Sequence, residues 1–131
     1  MSAFLKIKKR KDFVRAAKVG EKVITTSVIL QAAQSLSPLP IAAKFGFTTT
    51  KKIGKAHIRN RARRRMRAVI RECANIAQNN TEYVLIGRHN TSDCDFDILR
   101  RDIEYGLTKL NKLLYGKKDN EIAEKAIHMD D

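Results

Sequence analysis

KFGFTTTKKIGKAHIRNRARRRMRAVIR, residues 44–71, joins a strand, a basic turn and a helix in one run. Ala43–Thr50 alternates: Phe45, Phe47 and Thr49 share one face, and Lys44, Gly46, Thr48 and Thr50 the other, as on a strand whose two faces differ. Lys51–Ala56 is a basic loop around Gly54. From Ile58 to about Gln78 the apolar positions Ile58, Ala62, Met66, Val69, Ile70, Cys73, Ile76 and Ala77 recur every three or four residues. They fall within an arc of roughly 120°, the core-facing stripe of a helix.

The flanking sequence supplies the rest of a domain. Residues 10–19 read as a short amphipathic helix, with Phe13, Val14 and Ala17 at helical spacing and Gly20 as its C-cap. Val23–Ala33 is β-branched and reads as a strand, with room for another strand somewhere in 21–50. Gln34–Pro40 holds both prolines and is a loop. Tyr83–Gly87 is a short apolar strand, expected to be buried in the sheet. Ser92 and Asp95 resemble a capping box before a helix running to about Tyr115, whose stripe is Phe96, Leu99, Ile103, Leu107, Leu110 and Leu114. The elements alternate so that helices can cover a sheet face, giving an α+β two-layer sandwich of order αββ(β)αβα. Residues 1–116 are expected to form a single domain, and 117–131 a C-terminal extension, disordered or a short helix.

Composition bounds what such a domain does. Of 131 residues, 43% are hydrophobic, enough for a packed core. Lys and Arg number 27 against 14 Asp and Glu, a net charge of +13 that points to a polyanion partner. No apolar run approaches the roughly 18–20 residues of a membrane span. The basic start has no apolar segment of a signal peptide behind it, so neither export nor a membrane role is expected. The two cysteines, Cys73 and Cys94, have no ligand-like spacing and fit a reducing cytoplasm. Asp93, Asp95, Asp97 and Glu104 echo part of a calcium loop. Ile98 stands where that loop needs glycine, so the stretch reads as a helix cap and no metal site is expected.

The charge is concentrated. Residues 51–71 carry ten basic side chains and no acid, and residues 1–22 carry eight basic against two acidic. Residues 72–131 carry eight basic against twelve acidic. Arg59, Arg63, Arg67 and Arg71 form an i, i+4 ladder of like charge, each pair costing about 0.2–0.5 kcal/mol in an isolated helix. Glu72 relieves none of them. A helix that accepts such repulsion expects outside neutralisation, and arginine suits bidentate phosphate contacts. A protein nuclease would need convergent carboxylates or a histidine base. The basic half offers only Asp12 and Glu21, and His57, His89 and His128 are scattered, so no catalytic residue is expected on the protein.

Residues 44–71 also resemble a family. The small hydroxyl residues ending the strand, the Lys51-Lys52-Ile53-Gly54 turn and the Arg59-Asn60-Arg61 helix are similar to the signature region of the protein subunit of bacterial ribonuclease P. The resemblance extends to Asp12-Phe13 with Gly20 and to Gly87-Arg88, covering roughly residues 6–115. It implies a sandwich with a left-handed βαβ crossover, against the usual preference. It implies a partner RNA that is itself the catalyst, carries magnesium, and removes the 5′ leader of precursor tRNA. No tightly bound cofactor on the protein and no obligate protein partner are implied.

Carried onto this chain, the resemblance assigns contact with the catalytic RNA to Lys51, Lys52, Lys55, Arg59, Asn60, Arg61, Arg63, Arg64 and Arg67. It assigns a cleft for the single-stranded leader to Phe13, Ala17, Ile29, Gln31, Thr48 and Thr50. Two positions depart from the family pattern: Ala17 and Gln31 stand where aromatics are common. Stacking is worth about 1–3 kcal/mol per base, so leader binding is expected to be weaker or differently arranged. The alternative reading is a stand-alone RNA chaperone or a ribosome-associated RNA-binding protein.

Overall fold

The computed structural model describes residues 4–129, with side chains over 4–116. Five strands and three helices follow in the order β1 (Leu5–Lys6), α1 (Arg10–Val19), β2 (Glu21–Ile24), β3 (Val28–Gln34), β4 (Lys44–Thr48), α2 (Ala56–Cys73), β5 (Thr81–Gly87) and α3 (Phe96–Met129). One mixed sheet holds all five strands in the order β1-β4-β5-β3-β2. β4 is parallel to both β1 and β5, while β3 is antiparallel to both β5 and β2. β4 and β5 are therefore parallel neighbours joined through α2, a βαβ unit.

The alternation of β5 distributes the core. Tyr83 and Leu85 point to one face, where they pack with Phe45, Met66, Val69, Ile70, Leu99, Ile103, Leu107 and Leu110. The Phe45 and Tyr83 rings stack at 5.1 Å. The Tyr83 hydroxyl donates to Asn111 at 2.5 Å and accepts from the Gln78 N–H at 2.8 Å. Burial pushes that phenol up to about 12. Val84 and Ile86 point to the other face, against Ile7, Phe13 and Ala16. The sheet with α2 and α3 forms the expected sandwich, and α1 crosses the opposite face.

Several boundaries differ from the sequence reading. The expected strand over Val23–Ala33 is a hairpin, because Thr25 folds the chain back: its N–H and hydroxyl both donate to the Val28 carbonyl, at 3.0 and 2.7 Å. β1 is a two-residue edge strand that the sequence reading lacks. β4 ends at Thr48, and Thr49 and Thr50 leave the sheet. Thr49 turns its hydroxyl to accept from Arg63 at 2.7 Å, and Thr50 precedes a short 3-10 turn, Lys51–Ile53. α2 starts two residues earlier than expected and gives way at Ala74–Ile76 to a 3-10 turn.

Ser92 lies in a turn; Asp95 caps α3, its carboxylate accepting from the Asp97 N–H at 2.9 Å. Gly20 ends α1 with an extended backbone, and it is needed for space: a Cβ there would sit 2.3 Å from the Ala32 carbonyl oxygen. The extension over 117–131 continues α3 as backbone to Met129. Its side chains lie outside the described residues.

Candidate nucleic-acid interface

Two surfaces concern the candidate residues, and they lie on opposite faces of the sheet. The first is α2 with its entry turn. Gly54 makes the turn with φ +142°, a conformation costly for any residue with a Cβ. Lys51, Lys52 and Lys55 are exposed around it, and His57 is exposed in the first turn of α2. Asn60, Arg61, Arg64 and Arg71 are exposed on the outer side of the helix.

The seven arginines of 59–71 are not equivalent. Arg65 donates to the Thr91 carbonyl at 2.6 Å and to the Cys94 carbonyl, and its guanidinium lies 5.8 Å from the Phe96 ring centroid. It ties α2 to the segment before α3. Arg63 donates to Thr49 and to the Asn60 side chain. Arg67 lies 5.8 Å from the Phe47 ring centroid. Arg59 is half-buried, and its Nε is buried without a hydrogen-bond partner among the described residues. These anchors spread the like charges around the helix and leave Arg61, Arg64 and Arg71 exposed. Burial, then the charges of Glu104 and Glu72, push the Cys73 thiol on the inner side up to about 11. It stays a neutral core group.

The second surface is a groove of about 550 Å³ between α1 and the sheet. Phe13, Val14 and Ala17 form the helical wall, and Gln31, Thr48, Val84 and Ile86 the sheet floor. Lys8 and Arg10 stand at its edge. Gly46 makes the fit possible: a Cβ there would lie 2.4 Å from Phe13 Cε1. The groove is thus largely apolar within and basic at the rim, with Gln31 and Thr48 as the polar groups of its floor.

Four candidate cleft residues, Phe13, Ala17, Gln31 and Thr48, line this groove. Ile29 and Thr50 do not. Ile29 sits two residues along β3, paired with Ile86, and Thr50 has left the strand. Sequence reasoning missed Lys8, Arg10, Val14, Val84 and Ile86. Lys8 and Arg10 were detectable only as members of the basic block at 1–22. Val84 and Ile86 were detectable only by the parity of β5.

The acidic groups are dispersed. Glu82 lies on the α1 face of β5, 6% exposed, with Arg15 Nη2 4.0 Å from its carboxylate. Asp95 is the α3 cap, and Asp97 and Glu72 both hold Arg100. Among the described residues no three of His, Cys, Asp and Glu come together as metal ligands, and no helix is long and apolar enough to cross a membrane.

Comparison with known proteins bears on this arrangement. A family model described as Ribonuclease P matches residues 1–111. The Ribonuclease P protein component of Gluconacetobacter diazotrophicus is 39% identical over 105 residues, covering 79% of this chain and 89% of that protein. That of Paramagnetospirillum magneticum is 38% identical over 112 residues, covering 82% and 84%. The RNase P protein from Thermotoga maritima has the same fold, with a TM-score of 0.69 at 20% identity, covering 79% of this chain and 96% of that one. The Staphylococcus aureus RNase P protein superposes with a TM-score of 0.66 at 23% identity, covering 81% and 94%.

Proposed function

Because the chain belongs to the ribonuclease P protein family, we propose that it serves this ribonucleoprotein endonuclease by holding two RNA segments at once. α2 and its entry turn bind the folded catalytic RNA through the exposed Lys51, Lys52, Lys55, Asn60, Arg61 and Arg64, while Arg59, Arg63 and Arg67, also expected there, are half-buried against the fold. The groove beneath α1 takes the single-stranded 5′ leader of precursor tRNA. Folded RNA offers mainly backbone and shape, which arginines read well. A single strand offers base faces, which suit an apolar floor with a charged rim.

The observation that carries this reading is the separation itself: a free arginine face on one side of the sheet and an apolar groove with basic edges on the other. The RNA subunit supplies the catalytic centre and its magnesium. Among the described residues Asp95 caps α3, Glu72 and Asp97 hold Arg100 and Glu82 faces Arg15, and the protein contributes affinity and alignment. Its two free thiols suit the cytoplasm as its compartment.

The test is single-turnover cleavage of a 5′-labelled precursor tRNA at low magnesium. Its arms are the protein alone, bacterial ribonuclease P RNA alone, and both. Cleavage at the mature 5′ end only in the combined arm is expected. Cleavage by the protein alone would overturn the assignment of catalysis. Tight RNA binding with no gain on combining would favour a stand-alone RNA chaperone or ribosome-associated protein. Phe13→Ala is expected to weaken precursor more than mature tRNA, and equal effects on both would remove the groove from leader binding.

A further inference from the structure

The outer side of α3 carries a surface that neither RNA segment above uses. Arg101, Tyr105, Lys109 and Lys112 are all exposed and follow one another at spacings of four, four and three, so they share one helix face. That face is opposite the buried Leu99, Ile103, Leu107 and Leu110. Tyr105 is 54% exposed. Lys109 Nζ donates to its hydroxyl at 3.4 Å and lies 5.8 Å from the ring centroid, next to the phenol end of the ring.

None of the three cations is paired with a carboxylate among the described residues. The nearby acids are engaged or turned away. Asp102 accepts from the Ser27 hydroxyl at 2.6 Å and from the Ser27 N–H at 3.2 Å. Asp97 holds Arg100, and Glu104 lies about a quarter turn away. A solvated helix face ordinarily interleaves acids with its bases. This one surrounds an exposed aromatic ring with unpaired positive charge.

We propose that this face of α3 is a further RNA contact, specific for an unpaired nucleotide: the base stacks on Tyr105, and Arg101, Lys109 and Lys112 hold the flanking phosphates. The inference rests on the RNA-binding reading of the chain. Ring and cations together match the two parts of a single strand, its base faces and its backbone. A second copy of the chain fits poorly, because a two-fold contact would press the same cations against each other. α2 and α3 pack side by side over one sheet face, so the new contact and the arginine face are presented to the same side of the molecule.

The test uses the full chain in a Phe13→Ala background, so that the groove does not mask the effect. The probes are a single-stranded RNA oligonucleotide carrying 5-iodouridine and a duplex of the same length. Tyr105→Ala is expected to weaken single-strand binding roughly five- to 150-fold, the range for one stacked base, and to leave duplex binding unchanged. Tyr105→Phe is expected to bind as the parent does, and the photo-crosslink to map to Tyr105.

Single-strand affinity unchanged by Tyr105→Ala, with crosslinks elsewhere, would overturn the inference. So would equal losses in Tyr105→Ala and Tyr105→Phe. A separate arm, Arg59→Ala with Arg61→Ala and Arg64→Ala, keeps the two readings apart. Loss of catalytic-RNA binding there with no Tyr105 effect sinks this inference alone. Absence of RNA binding in the parent protein sinks both.

Discussion

At the scale of single residues, Gly46 decides whether the groove exists. It sits in the middle of β4, where a strand ordinarily gains from a side chain. Here the missing side chain is the space that the Phe13 ring occupies, since a Cβ would approach Phe13 Cζ to 2.6 Å as well as Cε1. Gly46→Ala is therefore expected to push the ring out of position or lift α1, at a stability cost of about 1–3 kcal/mol. Leader-dependent affinity should fall while binding of the catalytic RNA persists. Comparing precursor with mature tRNA affinity checks this. A variant that still discriminates the two as the parent does would show that the ring's seat on Gly46 is immaterial. Gly54 is a different case, required by its backbone angle rather than by a neighbour.

At the scale of elements, α2 divides its arginines between some that hold the fold and others left exposed. Arg65 spans to two backbone carbonyls, so Arg65→Ala is expected to cost about 1–3 kcal/mol by leaving those acceptors without their charged donor. Arg64 is exposed. Arg64→Ala should leave the melting curve almost unmoved. It should lower the slope of log affinity against log salt by about one for each phosphate that Arg64 neutralises. Denaturant titration and a salt series on the two variants separate these roles, and the reverse pattern would refute them.

This division was not legible in the sequence, where the seven arginines differ only in position along one helix. The helix itself was legible, because eight apolar residues repeat at its period. The alternation that put Gly46 and Thr48 on one face of β4 was legible too. The β2–β3 hairpin was not, because its turn, Thr25-Thr26-Ser27, carries no glycine, proline or asparagine and continues a β-branched run. Two-residue β1 is too short for any periodicity. The opposite placement of α1 depends on which strands become neighbours, a tertiary fact that no local pattern encodes. Thr50 was misplaced for the same kind of reason: the bond between Thr49 and Arg63 joins residues 14 positions apart.

At the scale of the whole molecule, one buried carboxylate ties stability to acidity. Glu82 is pushed up, first by burial and then by the charge of Asp12, with Arg15 and Lys44 opposing. Below the ordinary glutamate range the carboxyl is neutral in the folded and unfolded chain alike, and nothing is lost. As pH rises through the raised value, the unfolded chain has already released its proton, and that stability disappears. Glu82→Gln is accordingly expected to be more favourable to the fold at about pH 7 than at about pH 4, read by chemical denaturation at both. A variant whose advantage shrinks with rising pH would mean that the Arg15 ion pair outweighs burial.

The strand order also sets a timetable for synthesis. β5 lies between β4 and β3, yet it is the last strand to be made. A nascent chain ending before Thr81 has the β2–β3 hairpin complete, while β4 has only the two-residue β1 beside it and the inner edge of β3 is bare. Neither the apolar core nor the groove floor exists at that point, because Tyr83, Leu85, Val84 and Ile86 are still to come. Some eighty residues of a basic chain are therefore made before the core can close, and β5 followed by α3 completes it.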